Sequence, residues 1–255
     1  MKRSISAVLI AFNEERRLAD CLDKLGWVDE IVVVDSGSSD ATCDIARRYT
    51  DRVFDMPWRG FGPQKQAAVE LASHDWVLVV DCDEQVTPEL ADEIGELLRQ
   101  PVLKAGYAVP RRTFIGTREI RYSGWYPDRT VRFYDRTKAR FSESLVHESV
   151  IVDGETGNCK HALLHFSYAG ISDMLPKIIQ YSDLWSRQMH TVGRTCGSLE
   201  LLVKPTAAFI KSYLLKRGFL DGFEGLVIAG TTCFLTFFKY ARLRELNMIH
   251  AKQVK

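Results

Sequence analysis

The chain has no Cys-x-x-Cys pair: its six cysteines, at 21, 43, 82, 159, 196 and 233, lie scattered through 255 residues. That spacing argues against a zinc ribbon and predicts reduced thiols in a cytosolic chain. An excess of one charge is also missing. The 34 Lys and Arg against 33 Asp and Glu leave +1, which argues against a dedicated nucleic-acid binder. No apolar h-region follows Met1-Lys2-Arg3, so no secretory signal is expected. The most apolar run, Gly225 to Phe238, has 14 residues and is too short to span a bilayer by itself. Repeats and low-complexity linkers are absent. At this length the expectation is one large domain, or one domain with an appendage.

What is present is an alternation of strand and helix signals. Apolar runs at 5–12, 30–34, 53–54 and 76–80 read as strands, and 16–25, 40–49 and 64–72 as intervening helices. This order predicts an α/β fold, a mostly parallel central sheet with helices on both faces. A helix over 88–99 then leads to strands near 105–110, 130–134, 145–152 and 160–166, with an aromatic, arginine-rich loop over 111–129. Helices dominate from 171. The expected organisation is a module over 1–195, with a nucleotide-binding half (1–100) and an acceptor half (101–195), followed by a C-terminal helical region over 196–255.

The chemistry concentrates at strand ends. Trp76-Val77-Leu78-Val79-Val80 stops abruptly at Asp81-Cys82-Asp83-Glu84. Alternation along a strand predicts that Asp81 and Asp83 point one way and Cys82 the other. Asn13-Glu14 and Asp35 close two earlier strands. A parallel sheet gathers its carboxyl ends at one edge, so these acids are expected to converge on one crevice, with a repulsion that a cation relieves. Oxygen donors of this kind suit Mg²⁺ or Mn²⁺ with a nucleotide diphosphate. Asp40 reads as a helix cap.

Ala11-Phe12-Asn13-Glu14-Glu15, Val33-Val34-Asp35-Ser36-Gly37-Ser38-Ser39-Asp40-Ala41-Thr42 and Asp81-Cys82-Asp83-Glu84 resemble the three hallmark segments of glycosyltransferase family 2, in order and spacing. The resemblance implies the GT-A fold, here with a C-terminal helical extension. Val146-His147-Glu148, His165-Phe166-Ser167-Tyr168 and Gly222-Phe223-Glu224-Gly225 resemble, more narrowly, bacterial lipopolysaccharide-core β-1,4-glucosyltransferases. By resemblance, Phe12, Glu14 and Asp35 contact the nucleoside and Lys65 the diphosphate. Asp83, Asp81, Gln85 and His165 form the metal set. Ala11 departs from the proline of many relatives.

An inverting transfer needs a base across the sugar ring from the leaving diphosphate. Glu148 is the first candidate and Asp128 the second, with a turn role for Asp128 also open. His147 either orients an acceptor or is packed. Arg111, Arg112, Arg118, Arg121, Arg129 and Arg132 stand among Phe114, Tyr122, Trp125 and Tyr126, a composition suited to phosphate and sugar; Arg129 and Arg132 are the preferred anion contacts. By the same resemblance, the expected activity moves glucose from UDP-glucose to a lipid A-core heptose, forming a β-linkage. From Ser198 onward nine Lys/Arg face four Asp/Glu, so the last helices are expected either to close the fold or to dock peripherally on the inner face of the cell membrane. The rivals are a polyprenyl-phosphate sugar synthase and a non-catalytic, membrane-docked nucleotide-sugar-binding protein. A sugar-phosphate nucleotidyltransferase is disfavoured, because the loop Asn13-Glu14-Glu15-Arg16-Arg17 lacks glycine.

Overall fold

The computed structural model describes residues 3–142 and 148–253. The chain divides into two compact units. The first comprises 1–112 and 128–165, the second 113–127 and 166–255.

In the first unit β1 (Ile5–Ala11) lies between two parallel neighbours, β2 (Glu30–Asp35) and β4 (Trp76–Val79), and β3 (Val53–Asp55) extends the sheet beyond β2. Helices α1 (Leu18–Leu22), α2 (Thr42–Ala46) and α3 (Phe61–Glu70) fill the connections. After β5 (Glu84–Val86) comes α4 (Pro88–Arg99), and the strands then turn antiparallel: β6 (Gly106–Ile115), β7 (Arg118–Ile120) and β8 (Asp128–Asp135). A small ribbon pairs β9 (Ala139–Phe141) with β10 (Val150–Val152). Strand β11 (Thr156–Asn158) runs parallel to β6, and β12 (Leu163–Tyr168) runs antiparallel to β5. The sheet order is β3-β2-β1-β4-β8-β6-β12-β5, with β7 and β11 on β6.

The apolar runs are continuous because both faces of β1, β2 and β4 are covered. Ile5, Ala7, Leu9, Trp76 and Leu78 pack on one side with Leu18 and Leu22 of α1 and Leu90, Ile94 and Leu98 of α4. Val8, Val32, Val34, Val77 and Val79 pack on the other with Ala68 and Val69 of α3. Helix α4 has the boundaries its sequence dictates: Thr87 Oγ1 accepts from Leu90 N–H at 3.2 Å, and Pro88 takes the first turn, where its missing N–H costs nothing.

Three expectations change. Helices α1 and α2 are single turns of five residues, neither with a side-chain cap at its N-terminus. The stretch 111–129 is largely strand, because Thr113–Ile115 folds back on Arg118–Ile120 as an antiparallel pair. Of the strand expected over 145–152 only Val150–Val152 is seen: 148–149 are not strand, and 143–147 lie outside the described residues.

The second unit is helical beyond its strand segments. A 3-10 turn (Ile171–Asp173) leads into α5 (Met174–Thr191), then α6 (Ser198–Ile210), a π-helical turn (Lys211–Leu215), a 3-10 turn (Gly218–Asp221) and α7 (Gly222–Gln253). Helix α7 packs on α5 and α6. The length argument from the 14-residue run is corrected here: the helical stretch Gly218–Ile249 is long and apolar enough to cross a membrane by length and composition. The helical stretch continues past the 14-residue run at both ends, through Phe219, Leu220 and Phe223 before it and Leu243, Met248 and Ile249 after it.

Candidate active site

Chain leaves strand at Val79, and a turn closed by Glu84 N–H donating to Asp81 O at 2.9 Å follows. Strand alternation therefore does not govern Asp81 and Asp83, which face different partners. Cys82 does turn inward as expected: it is buried in the core beneath β1, its thiol 3.2 Å from Ile10 O. Burial pushes the Cys82 and Cys21 thiols well above their ordinary range.

Lys65 is buried, with Nζ 2.7 Å from Asp81 Oδ1 and 3.0 Å from Glu148 Oε1. Arg132, also buried, pairs with Asp81 Oδ2 and lies 2.7 Å from Glu84 Oε1. That same Glu84 oxygen is 3.2 Å from Arg111 Nη1, and Arg111 Nη2 pairs with Asp128. Glu84 Oε2 accepts from Asp81 N–H at 3.0 Å. The result is an unbroken line of alternating charges: Glu148, Lys65, Asp81, Arg132, Glu84, Arg111, Asp128. Both candidate bases are its ends. Burial by itself raises the Asp81 carboxyl, but Arg132 and Lys65 outweigh it and hold the group far below the usual carboxylate range. Burial works against the Arg132 cation, and Asp81 and Glu84 more than restore it.

Asp83 stands apart from that line. His165 Nε2 is 3.5 Å from its Oδ2, and Arg17 Nη1 is 3.8 Å from the same atom. His165 reaches it because β12 pairs antiparallel with β5, setting His165 opposite Glu84 and Leu164 opposite Gln85. Among the described residues no group of three or more His, Cys, Asp or Glu side chains is arranged to hold a metal ion. The pair Asp83–His165 is nonetheless a fitting partial set, since Mg²⁺ and Mn²⁺ take few protein donors and complete their shell with water and substrate phosphates.

Another acidic strand end, Asp35, is held by hydrogen bonds from its own loop. Asp35 is buried and accepts the N–H groups of Gly37 (2.9 Å) and Ser38 (2.7 Å) together with the Ser38 hydroxyl. Asp40, expected to cap the following helix, instead accepts from Thr42 N–H at 3.0 Å and Glu15 N–H at 3.3 Å, while α2 starts after Ala41 without a side-chain cap. Asn13 Oδ1 accepts from Ser39 N–H at 2.9 Å, and Glu14 N–H donates to Thr42 Oγ1 at 2.8 Å. The loops after β1 and β2 are thus laced together, leaving Phe12 exposed at their edge.

The arginine cluster is dispersed. Arg111 and Arg132 face carboxylates, Arg129 donates to Cys159 O at 3.0 Å, and Arg121 pairs with Glu119 at 2.9 Å in the second unit. His147 lies outside the described residues. Two residues escaped sequence reasoning. Arg17 was named only within the loop after β1 and Glu84 only within its hallmark segment, neither with a role of its own.

A family model described as glycosyl transferase family 2 matches residues 6–160. The chain belongs to that family. Its sheet, parallel through β3-β2-β1-β4 and continued by antiparallel strands, is the GT-A fold of this glycosyltransferase. It is 31% identical over 263 residues to the lipopolysaccharide core biosynthesis glycosyltransferase LpsC of Rhizobium meliloti (strain 1021), covering 98% of this chain and 96% of LpsC. An uncharacterized glycosyltransferase of Rickettsia felis is 29% identical, with 98% and 92% covered. Among solved structures, glucosyl-3-phosphoglycerate synthase from Mycobacterium tuberculosis with Mn²⁺ and UDP-glucose is 29% identical over 44% of each chain, with a TM-score of 0.34.

Proposed function

We propose that this glycosyltransferase moves a hexose, glucose from UDP-glucose, onto a hydroxyl of a lipopolysaccharide inner-core heptose, with inversion to a β-linkage. The observation that carries the reading is the Asp83–His165 pair, with the ion pair between Lys65 and Glu148 in the same unit. The lipopolysaccharide acceptor is supported by the near full-length similarity to LpsC.

In this reading Phe12, Glu14 and the loop around Asp35 receive the nucleoside. Asp83 and His165 hold a divalent cation, with Asp81 and Gln85 flanking Asp83 in the chain. A bound Mg²⁺ or Mn²⁺ supplies neutralising charge for the departing diphosphate. Lys65, which already bridges two carboxylates, offers its ammonium to the same diphosphate. Glu148 accepts the proton of the acceptor hydroxyl as that oxygen bonds to the anomeric carbon and the bond from that carbon to the diphosphate breaks. Arg129 and Arg132 contribute positive charge, Arg132 through Asp81 and Glu84. Asp128, paired with Arg111 as Glu148 is with Lys65, is the second candidate base. The enzyme docks peripherally on the cytoplasmic face of the membrane through its C-terminal helices.

Calorimetry with UDP-, GDP- and CMP-sugars, with and without Mn²⁺, tests the donor site. The expected outcome is metal-dependent binding of UDP-glucose by the wild type and its loss in Asp83→Ala. Folded wild-type protein that binds no nucleotide sugar under either condition overturns the proposal.

A further inference from the structure

The helical unit carries a surface that the transfer reaction does not use. Between Lys211 and Phe223 the chain reverses direction through the π-helical turn, the 3-10 turn and the start of α7. Leu214, Leu215, Phe219, Leu220 and Phe223 are all between 47% and 74% exposed. The remaining exposed side chains of this segment are Lys211, Lys216 and Arg217. Its one acid, Asp221, is buried and faces inward. Every large side chain that this turn shows to solvent is therefore either apolar or cationic.

Such a segment, if slack, would fold its leucines inward; here the backbone is braced against it. Asp221 Oδ1 and Oδ2 accept the N–H groups of Arg121 (3.0 Å) and Tyr122 (2.9 Å). Ser123 N–H donates to Lys216 O at 3.0 Å, and Ser212 Oγ donates to Ser123 O at 3.4 Å. Gly218 and Gly225 touch backbone to backbone: a Cβ on Gly225 would sit 1.8 Å from Gly218 O. Arg217 holds a left-handed φ of 55° at the bend. These contacts lie within the second unit, so the unit itself fixes the outward display of the five apolar side chains.

We infer that the turn Lys211–Phe223 is the part of the chain that enters a bilayer interface, with Leu214, Leu215, Phe219, Leu220 and Phe223 among the acyl chains and Lys211, Lys216 and Arg217 on anionic lipid phosphates. Charge decides the occupant. Lysine is depleted from the cores of protein–protein interfaces, whereas at a lipid surface its stem lies along apolar groups while the ammonium reaches a phosphate. Apolar burial and basic charge are the two signals that together give stable interfacial binding. This narrows the membrane docking in the proposed function to one element, and its test is separate from the test of the donor site.

The full chain is floated with phosphatidylcholine vesicles, with and without phosphatidylglycerol, beside the variants Leu215→Glu/Phe219→Glu and Lys216→Glu/Arg217→Glu. The control is Leu199→Glu/Leu202→Glu, on exposed positions of α6. The wild type and the control are expected to float with the anionic vesicles and to be stripped by alkaline carbonate. Each turn variant is expected to partition about tenfold or more weakly. Unchanged thermal melting and UDP-sugar binding establish that the variants are folded. Three results overturn the inference: turn variants that float like the wild type, carbonate-resistant association, which assigns the anchoring to α7 as a span, and a wild-type dimer that Leu215→Glu/Phe219→Glu converts to monomer while neither form binds vesicles. Loss of donor binding in the wild type would refute the transferase reading and leave this one standing.

Discussion

Glu84 touches neither end of the site yet holds its middle. Fully buried, it receives Arg111, Arg132 and the Asp81 amide, so its two oxygens tie the turn at 81–84 to two neighbouring strands. Removing one member of a buried ionic set strands the others, at about 3–5 kcal/mol. Glu84→Gln is expected to lower the melting temperature by several degrees, and Glu84→Asp to recover part of that loss; equal melting of Gln and wild type would contradict the network. Glu148→Gln is expected to lower kcat about 100-fold or more while UDP-sugar affinity is kept. Retained activity would favour the polyprenyl-phosphate reading, whose acceptor is already an anion. The depressed Asp81 carboxyl has a definite sign: its stabilisation is complete above the ordinary carboxylate range and is lost as pH falls through the folded value. Melting followed from neutral to acid pH should therefore show a shallower acid decline in Asp81→Asn than in the wild type.

At the scale of elements, the legible pieces were those whose cause is local. Helix α4 was readable to the residue because Thr87, Pro88 and its apolar stripe all act within a few positions. Thr87→Ala is expected to cost about 1 kcal/mol, roughly 2–4 °C in thermal melting. The turns at α1 and α2 were overextended because their sequence has helical periodicity but no side chain to cap the first turn. The arginine-rich stretch read as a loop because the pairing that makes it strand, Thr113 with Ile120, is visible only once the chain has folded back.

On the scale of the whole molecule the two units differ in how much apolar surface they bury. The first has extensive clusters on both faces of its sheet, whereas the buried cluster of the second is Ile115, Ile120, Met174 and Ile228. Local stability follows such burial. Amides of α5 and α6 are expected to exchange with deuterium well before those of β1 and β4, and anionic vesicles should slow the helical set selectively. Uniform exchange across both units would contradict this.

The sequence alone determined the parallel core, helix α4 and the family, since each depends on residue pattern within a short window. Asp83 and His165 were placed together by the family resemblance, and the antiparallel pairing of β12 with β5 is what brings them within 3.5 Å. Tertiary structure decided that Lys65 and Arg132 take the Asp81 carboxylate, that Asp35 is occupied by its own loop, and that Glu84 is a buried hub. The physical reason is range. Propensity, capping and alternation act over a few residues, whereas a buried charge takes whatever partner the fold brings within a few ångströms. For Asp81 those partners come from α3 and β8, elements distant in sequence.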